Sequence, residues 1–95
     1  MEKMPEHFFY VLECGDGSYY AGYTNDLERR VRVHNEGKGA KYTRAKLPVR
    51  CIYYEKFETK REAMQAEYKF KQLNRNQKER YIGTEVSTNE VTKKC

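Results

Sequence analysis

Apolar and polar positions change period along this chain, and the changes mark its elements. His7 to Glu13 (HFFYVLE) is a short aromatic and aliphatic run that predicts a β-strand. Gly15-Asp16-Gly17 is a turn signal, and Ser18 to Tyr23 is a second strand, which together make a hairpin. The spacing then becomes helical. Asn25 offers a side-chain cap with Glu28 three residues on, Leu27 and Val31 form a buried pair, and the helix runs to about Asn35 with Gly37 as its stop. Glu36 to Pro48 has no period and predicts a loop, after which Arg50 to Phe57 is a third strand. Thr59 and Glu62 cap a helix that carries Ala63, Ala66, Phe70 and Leu73 on one face. Asn74 with Gln77 opens a short helix to about Ile82. The order is β-β-α-β-α-α, an α+β layout of three strands with flanking helices, in which the third strand can join either edge of the hairpin. Residues 1–6 are expected to be a flexible N-terminus, 7–82 the domain, and 83–95, polar and without periodicity, a disordered tail.

Composition narrows the classes. Ninety-five residues make one domain with a modest core. A net charge of +5 and a pI near 9.1 favour a polyanionic partner, nucleic acid being the commonest. No run approaches the ~18 apolar residues of a membrane helix, and the first six residues have no apolar core of a signal peptide, so a soluble cytoplasmic protein is expected. Cys14, Cys51 and Cys95 form neither a C-x-x-C pair nor a Cys/His cluster, which argues against a structural zinc site.

The residues that carry chemistry are few. Tyr10 and Tyr20 each open a triplet, Tyr10-Val11-Leu12 and Tyr20-Ala21-Gly22, and stand on paired strands as neighbours. Arg30 and His34 are four apart and project from one helix face. Arginine clamps phosphate through a bidentate fork, and histidine relays protons near neutral pH. Glu67 falls about 60° round the helix from its apolar stripe, by the ~100° per residue of an α-helix. A carboxylate there needs a positive partner: a divalent metal ion, or a salt bridge to Arg30. Between helix and third strand, Lys38, Lys41, Tyr42, Thr43, Arg44 and Lys46 combine charge, hydroxyls and an aromatic face, a set suited to phosphates and an unpaired base. Taken together these groups fit metal-assisted hydrolysis of a phosphodiester. The alternative from a different class is a nucleic-acid-binding module that does not cut.

On these residues the chain resembles a GIY-YIG nuclease domain, in particular the small single-domain bacterial members. The resemblance covers residues 8–82 and is strongest over Tyr20 to Arg44, YAGYTNDLERRVRVHNEGKGAKYTR. It implies a three-stranded antiparallel sheet with packed helices, one divalent cation (magnesium or manganese), and endonuclease activity on DNA, structured or single-stranded, in repair or recombination. It also implies that Tyr10 and Tyr20 are the two motif tyrosines, with Tyr20 the general base and His34 assisting proton transfer. Arg30 would contact the scissile phosphate and Glu67 would bind the metal. Gly22 would let the backbone approach beneath the site. Members that cut specific DNA use a second domain or a partner for recognition, which implies a protein partner for targeting here. The first triplet departs from the pattern, since Phe8-Phe9-Tyr10 stands where Gly-Ile-Tyr would, and Ala21 replaces an isoleucine or valine. Both changes fall on packing positions and leave the phenols in place.

Overall fold

The structure is a computed structural model and describes residues 6–88. Three strands, β1 (His7–Glu13), β2 (Tyr19–Thr24) and β3 (Arg50–Phe57), form one antiparallel sheet in the order β2-β1-β3. β3 therefore joins the free edge of β1, the question that the sequence leaves open. Burial explains the choice: Phe9, Tyr10, Val11 and Leu12 are buried in succession. A strand apolar on both faces belongs in the middle of a sheet with cover on each side.

The two faces have separate cores. Phe9, Val11, Ala21 and Tyr53 pack with Phe70 of α3 (Lys60–Lys71) and with Tyr81 and Ile82 of α4 (Arg75–Thr88). Tyr10, Leu12, Cys14, Val49 and Cys51 pack under Leu27 and Val31 of α1 (Leu27–Asn35). The sheet thus separates an α1 layer from an α3/α4 layer. Leu27 and Val31 are only half-buried, and the buried residue of α1 is His34.

Local chemistry sets the ends of the elements. Asp26, not Asn25, caps α1 by accepting from the Arg29 amide. Two adjacent residues are both competent caps, and here Thr24 fixes the entry, its hydroxyl accepting from the Asp26 amide. The other two caps are as the sequence predicts. Thr59 accepts from the Glu62 amide, while Asn74 and Gln77 exchange side-chain and backbone bonds. At the hairpin, Asp16 holds Ser18 through its amide and hydroxyl, and Gly17 takes a φ of +86°.

Two segments differ from the sequence reading. The predicted loop 36–48 contains a one-turn helix, α2 (Lys41–Arg44), too short for any period to reveal. α4 continues six residues past Ile82 to Thr88. Once a helix is nucleated, each added residue gains a hydrogen bond, so an aperiodic segment can continue it. The expectations for residues 1–5 and 89–95 lie outside the described residues.

Candidate active site

β2 is an edge strand, and a cleft of about 400 Å³ opens beside it. Tyr10, Tyr20, Arg30, His34 and Glu67 all line this cleft. They come from β1, β2, α1 and α3, so both helical layers contribute. Gly22, Tyr23, Lys38, Gly39 and Ala40 complete the wall.

The sheet register aligns the phenols. Tyr10 pairs with Gly22 and Leu12 with Tyr20, so both tyrosines stand on the α1 face. The Tyr10 ring lies directly across Gly22, where a Cβ would come within 2.6 Å of the phenol oxygen. Glycine is needed there because the ring occupies the space of a side chain. The Tyr10 hydroxyl is 3.2 Å from Nε2 of His34, and Nδ1 of His34 is 2.8 Å from Oγ1 of Thr43. Tyr20 meets the imidazole edge-on, with ring centroids 5.4 Å apart, and its other side stacks on Tyr42. His34 therefore bonds to the first motif tyrosine and packs against the second.

Burial and neighbouring charge set the protonation states. Desolvation raises the Tyr10 phenol well above its ordinary value of 10.0, the Tyr20 and Glu67 charges raise it further, and Arg30 opposes. Tyr10 is therefore a neutral phenol at physiological pH. Burial, then the Arg30 charge, lowers the imidazolium pKa of His34 below 6.5, so His34 is neutral.

Arg30 lies one turn before His34 and is exposed at the cleft. The Glu67 carboxylate meets Lys71 at 2.7 Å, one turn on along α3, and its side chain is 18% exposed. Its ion pair is thus with Lys71 and not with Arg30. The sequence carries the signal for it, since the two are four apart on one helix. Among the described residues no group of three or more His, Cys, Asp or Glu is placed to hold a metal. The protein side of a metal site is then one carboxylate, in a position that already draws a cation. That fits a hard divalent ion such as magnesium, which keeps several waters and takes further oxygens from substrate phosphate.

The basic segment divides into outer and inner residues. Lys38, Lys41, Tyr42 and Arg44 are exposed, and Tyr42 presents its ring beside Tyr20. Lys46 is engaged by Asp16 at 2.9 Å and lies over the Tyr42 ring. Thr43 is a correction: expected among the nucleic-acid contacts, it is fully buried and bonds His34. The single turn of α2 directs residues 41, 42 and 44 outward and residue 43 inward. Gly39 also belongs to the site, because a Cβ there would collide with the His34 ring. Neither role has a signal in spacing or composition.

Fold and cleft together define a small nuclease-like domain, and residues 6–84 match the GIY-YIG catalytic domain. The chain belongs to the GIY-YIG family, a family of nucleases. It is 71% identical over 76 residues to a UPF0213 protein of Bacillus velezensis, which covers 80% of this chain and 77% of that one. It is 61% identical to the UPF0213 protein YazA of Bacillus subtilis, over 90% of this chain and 86% of the relative. The solution NMR structure of the protein EF2693 from E. faecalis superposes with a TM-score of 0.64 at 52% identity, covering 95% of this chain and 96% of that one. GIY-YIG domains bind nucleic acid and generally use a divalent metal. Among the described residues no helix is long and apolar enough to cross a membrane.

Proposed function

We propose that this protein is a metal-dependent endonuclease that hydrolyses DNA phosphodiester bonds at the cleft beside β2. One observation carries the reading: two phenols, a guanidinium, an imidazole and a carboxylate from four separate elements line one cleft of about 400 Å³. Packing alone gives no reason for that set to meet.

Each residue has a role. Arg30, charged and exposed, clamps the non-bridging oxygens of the scissile phosphate. Glu67 holds one divalent cation, magnesium or manganese, which when bound supplies charge neutralisation at the phosphate and acidifies water. Tyr20, in its phenolate form, takes one proton of the attacking water as the water oxygen bonds to phosphorus and the P–O bond to the leaving oxygen breaks, solvent supplying that oxygen's proton. Tyr10 is fixed as a neutral phenol, and its bond to His34 orients its oxygen at the cleft wall. Lys38, Lys41 and Arg44 guide the backbone, and the exposed Tyr42 ring becomes a stacking surface for an unpaired base when the Lys46 ammonium swings off it. Branched, flapped or single-stranded DNA offers such a base and reaches a narrow cleft more readily than intact duplex. A domain of this size provides little sequence readout, so targeting in repair or recombination falls to a protein partner in the cytoplasm.

The test is cleavage of end-labelled single-stranded, duplex, flap and four-way-junction DNA with magnesium or manganese, beside Glu67→Ala and Arg30→Ala. Each substitution is expected to lower the rate by roughly 10²–10⁴-fold, the range of a lost metal or phosphate contact. A fully active Glu67→Ala protein would refute the assignment. Salt-sensitive binding without cutting on any substrate would make the protein a nucleic-acid-binding module that retains a nuclease fold.

A further inference from the structure

Thr43 is completely buried although it carries a hydroxyl. We infer that Thr43 is a positioning residue that fixes the tautomer of His34 and thereby the direction in which the Tyr10 hydroxyl points. The inference rests on the reading of this cleft as the active site.

Thr43 Oγ1 lies 2.9 Å from the Ala40 carbonyl oxygen. A carbonyl can only accept, and two oxygens at that separation without a proton between them repel. The single hydroxyl proton of Thr43 therefore goes to Ala40. Towards His34 the same oxygen has only lone pairs, so the 2.8 Å contact requires a proton on Nδ1. A neutral imidazole protonated at Nδ1 carries its lone pair on Nε2. Nε2 then accepts from the Tyr10 hydroxyl 3.2 Å away.

The chain Tyr10–His34–Thr43–Ala40 thus runs in one direction. The Tyr10 proton is committed to His34, and the phenol oxygen turns only acceptor lone pairs to the cleft, where they can orient the attacking water for Tyr20. With the opposite tautomer, Nε2 would donate to Tyr10, and the Tyr10 proton would project into the cleft and orient that water the wrong way round. Two backbone features hold the device. The Thr43 and Arg44 amides also bond the Ala40 carbonyl, each at 3.1 Å, and these two bonds lock the turn that brings the hydroxyl to the same oxygen. Gly39 leaves the space that the imidazole fills. Among the described residues no buried polar side-chain atom lacks a hydrogen-bond partner.

Long-range proton–nitrogen NMR of ¹⁵N-histidine-labelled protein reads the tautomer without substrate. His34 is expected to be protonated at Nδ1 in the wild type and in Thr43→Ser. In Thr43→Val, which keeps the shape but removes the acceptor, the Nδ1–H signature should give way to a mixture. Cleavage should fall by about 10–100-fold, the usual cost of losing an orienting partner, mainly in kcat, and should return in Thr43→Ser. An Nε2–H tautomer in the wild type overturns the inference and needs no variant to fold. A tautomer unchanged in Thr43→Val overturns it as well. A protein that shows the Nδ1–H form but cuts nothing keeps the positioning role and loses the nuclease reading instead.

Discussion

An imidazole with 1% of its surface exposed is costly to ionise, and His34 carries that cost within hydrogen-bond reach of a cleft. Its folded-state pKa lies below the 6.5 of a free histidine, through burial first and Arg30 second. The unfolded chain therefore takes up this proton near pH 6.5, and the folded protein only at lower pH. Between those two values the unfolded state binds more protons, so stability rises with pH and is lost as acid is added. Above about 6.5 His34 contributes no slope. Urea midpoints from pH 5 to 8 should fall on the acid side in the wild type, and His34→Gln should remove that component of the fall. An NMR titration should place His34 below 6.5; a value above it would mean that the protonated form is the one the fold selects.

One contact ties α1 to the start of β3, and another, within α3, holds the Glu67 carboxylate. Asn35, the last residue of α1, grips Val49 just before β3 through both its backbone groups, at 2.9 and 2.8 Å. Val49 is buried, so Asn35→Ala leaves its amide and carbonyl without these partners. A loss of about 2–4 kcal/mol in urea unfolding is expected, from two bonds at 1–2 kcal/mol each. A loss under about 0.5 kcal/mol would show that water replaces the clamp. On α3 the Lys71 ammonium competes with any cation for Glu67. Lys71→Met should therefore tighten manganese binding, read by electron paramagnetic resonance, by roughly two- to tenfold, and weaker binding would make Lys71 a supporter of the site instead. The sequence makes some of this legible and some not. β1 is readable as a continuous apolar run, and the Thr59 and Asn74 caps follow a short local code. The five cleft residues are readable through the motif order they share with a family. α2 is not, because four residues hold no period, and without α2 nothing distinguishes Thr43 from the exposed residues around it. Asn25 and Asp26 are equivalent as caps until Thr24 is folded beside them.

At the scale of the whole molecule, the net charge of +5 matters less than where the free cations lie. Lys46, Arg50 and Arg75 are engaged by Asp16, Glu13 and Glu79. Arg30, Lys38, Lys41 and Arg44 are exposed, form no ion pair among the described residues, and either line the cleft or follow it in the chain on α2. Binding to nucleic acid should then be dominated by counterion release from a handful of contacts. With about four phosphates neutralised, log K against log salt should fall with a slope near −3 to −4 for duplex, and somewhat less steeply for single strands. Replacing Lys41 and Arg44 together by alanine should reduce the slope by roughly two and leave sequence preference as it was. Cleavage at saturating DNA should persist in that double variant, because neither side chain lines the cleft. A slope that the double substitution leaves unchanged would move the track elsewhere, to the exposed cations of α3 beyond Glu67. A flat dependence on salt would remove the electrostatic case for a nucleic-acid substrate altogether.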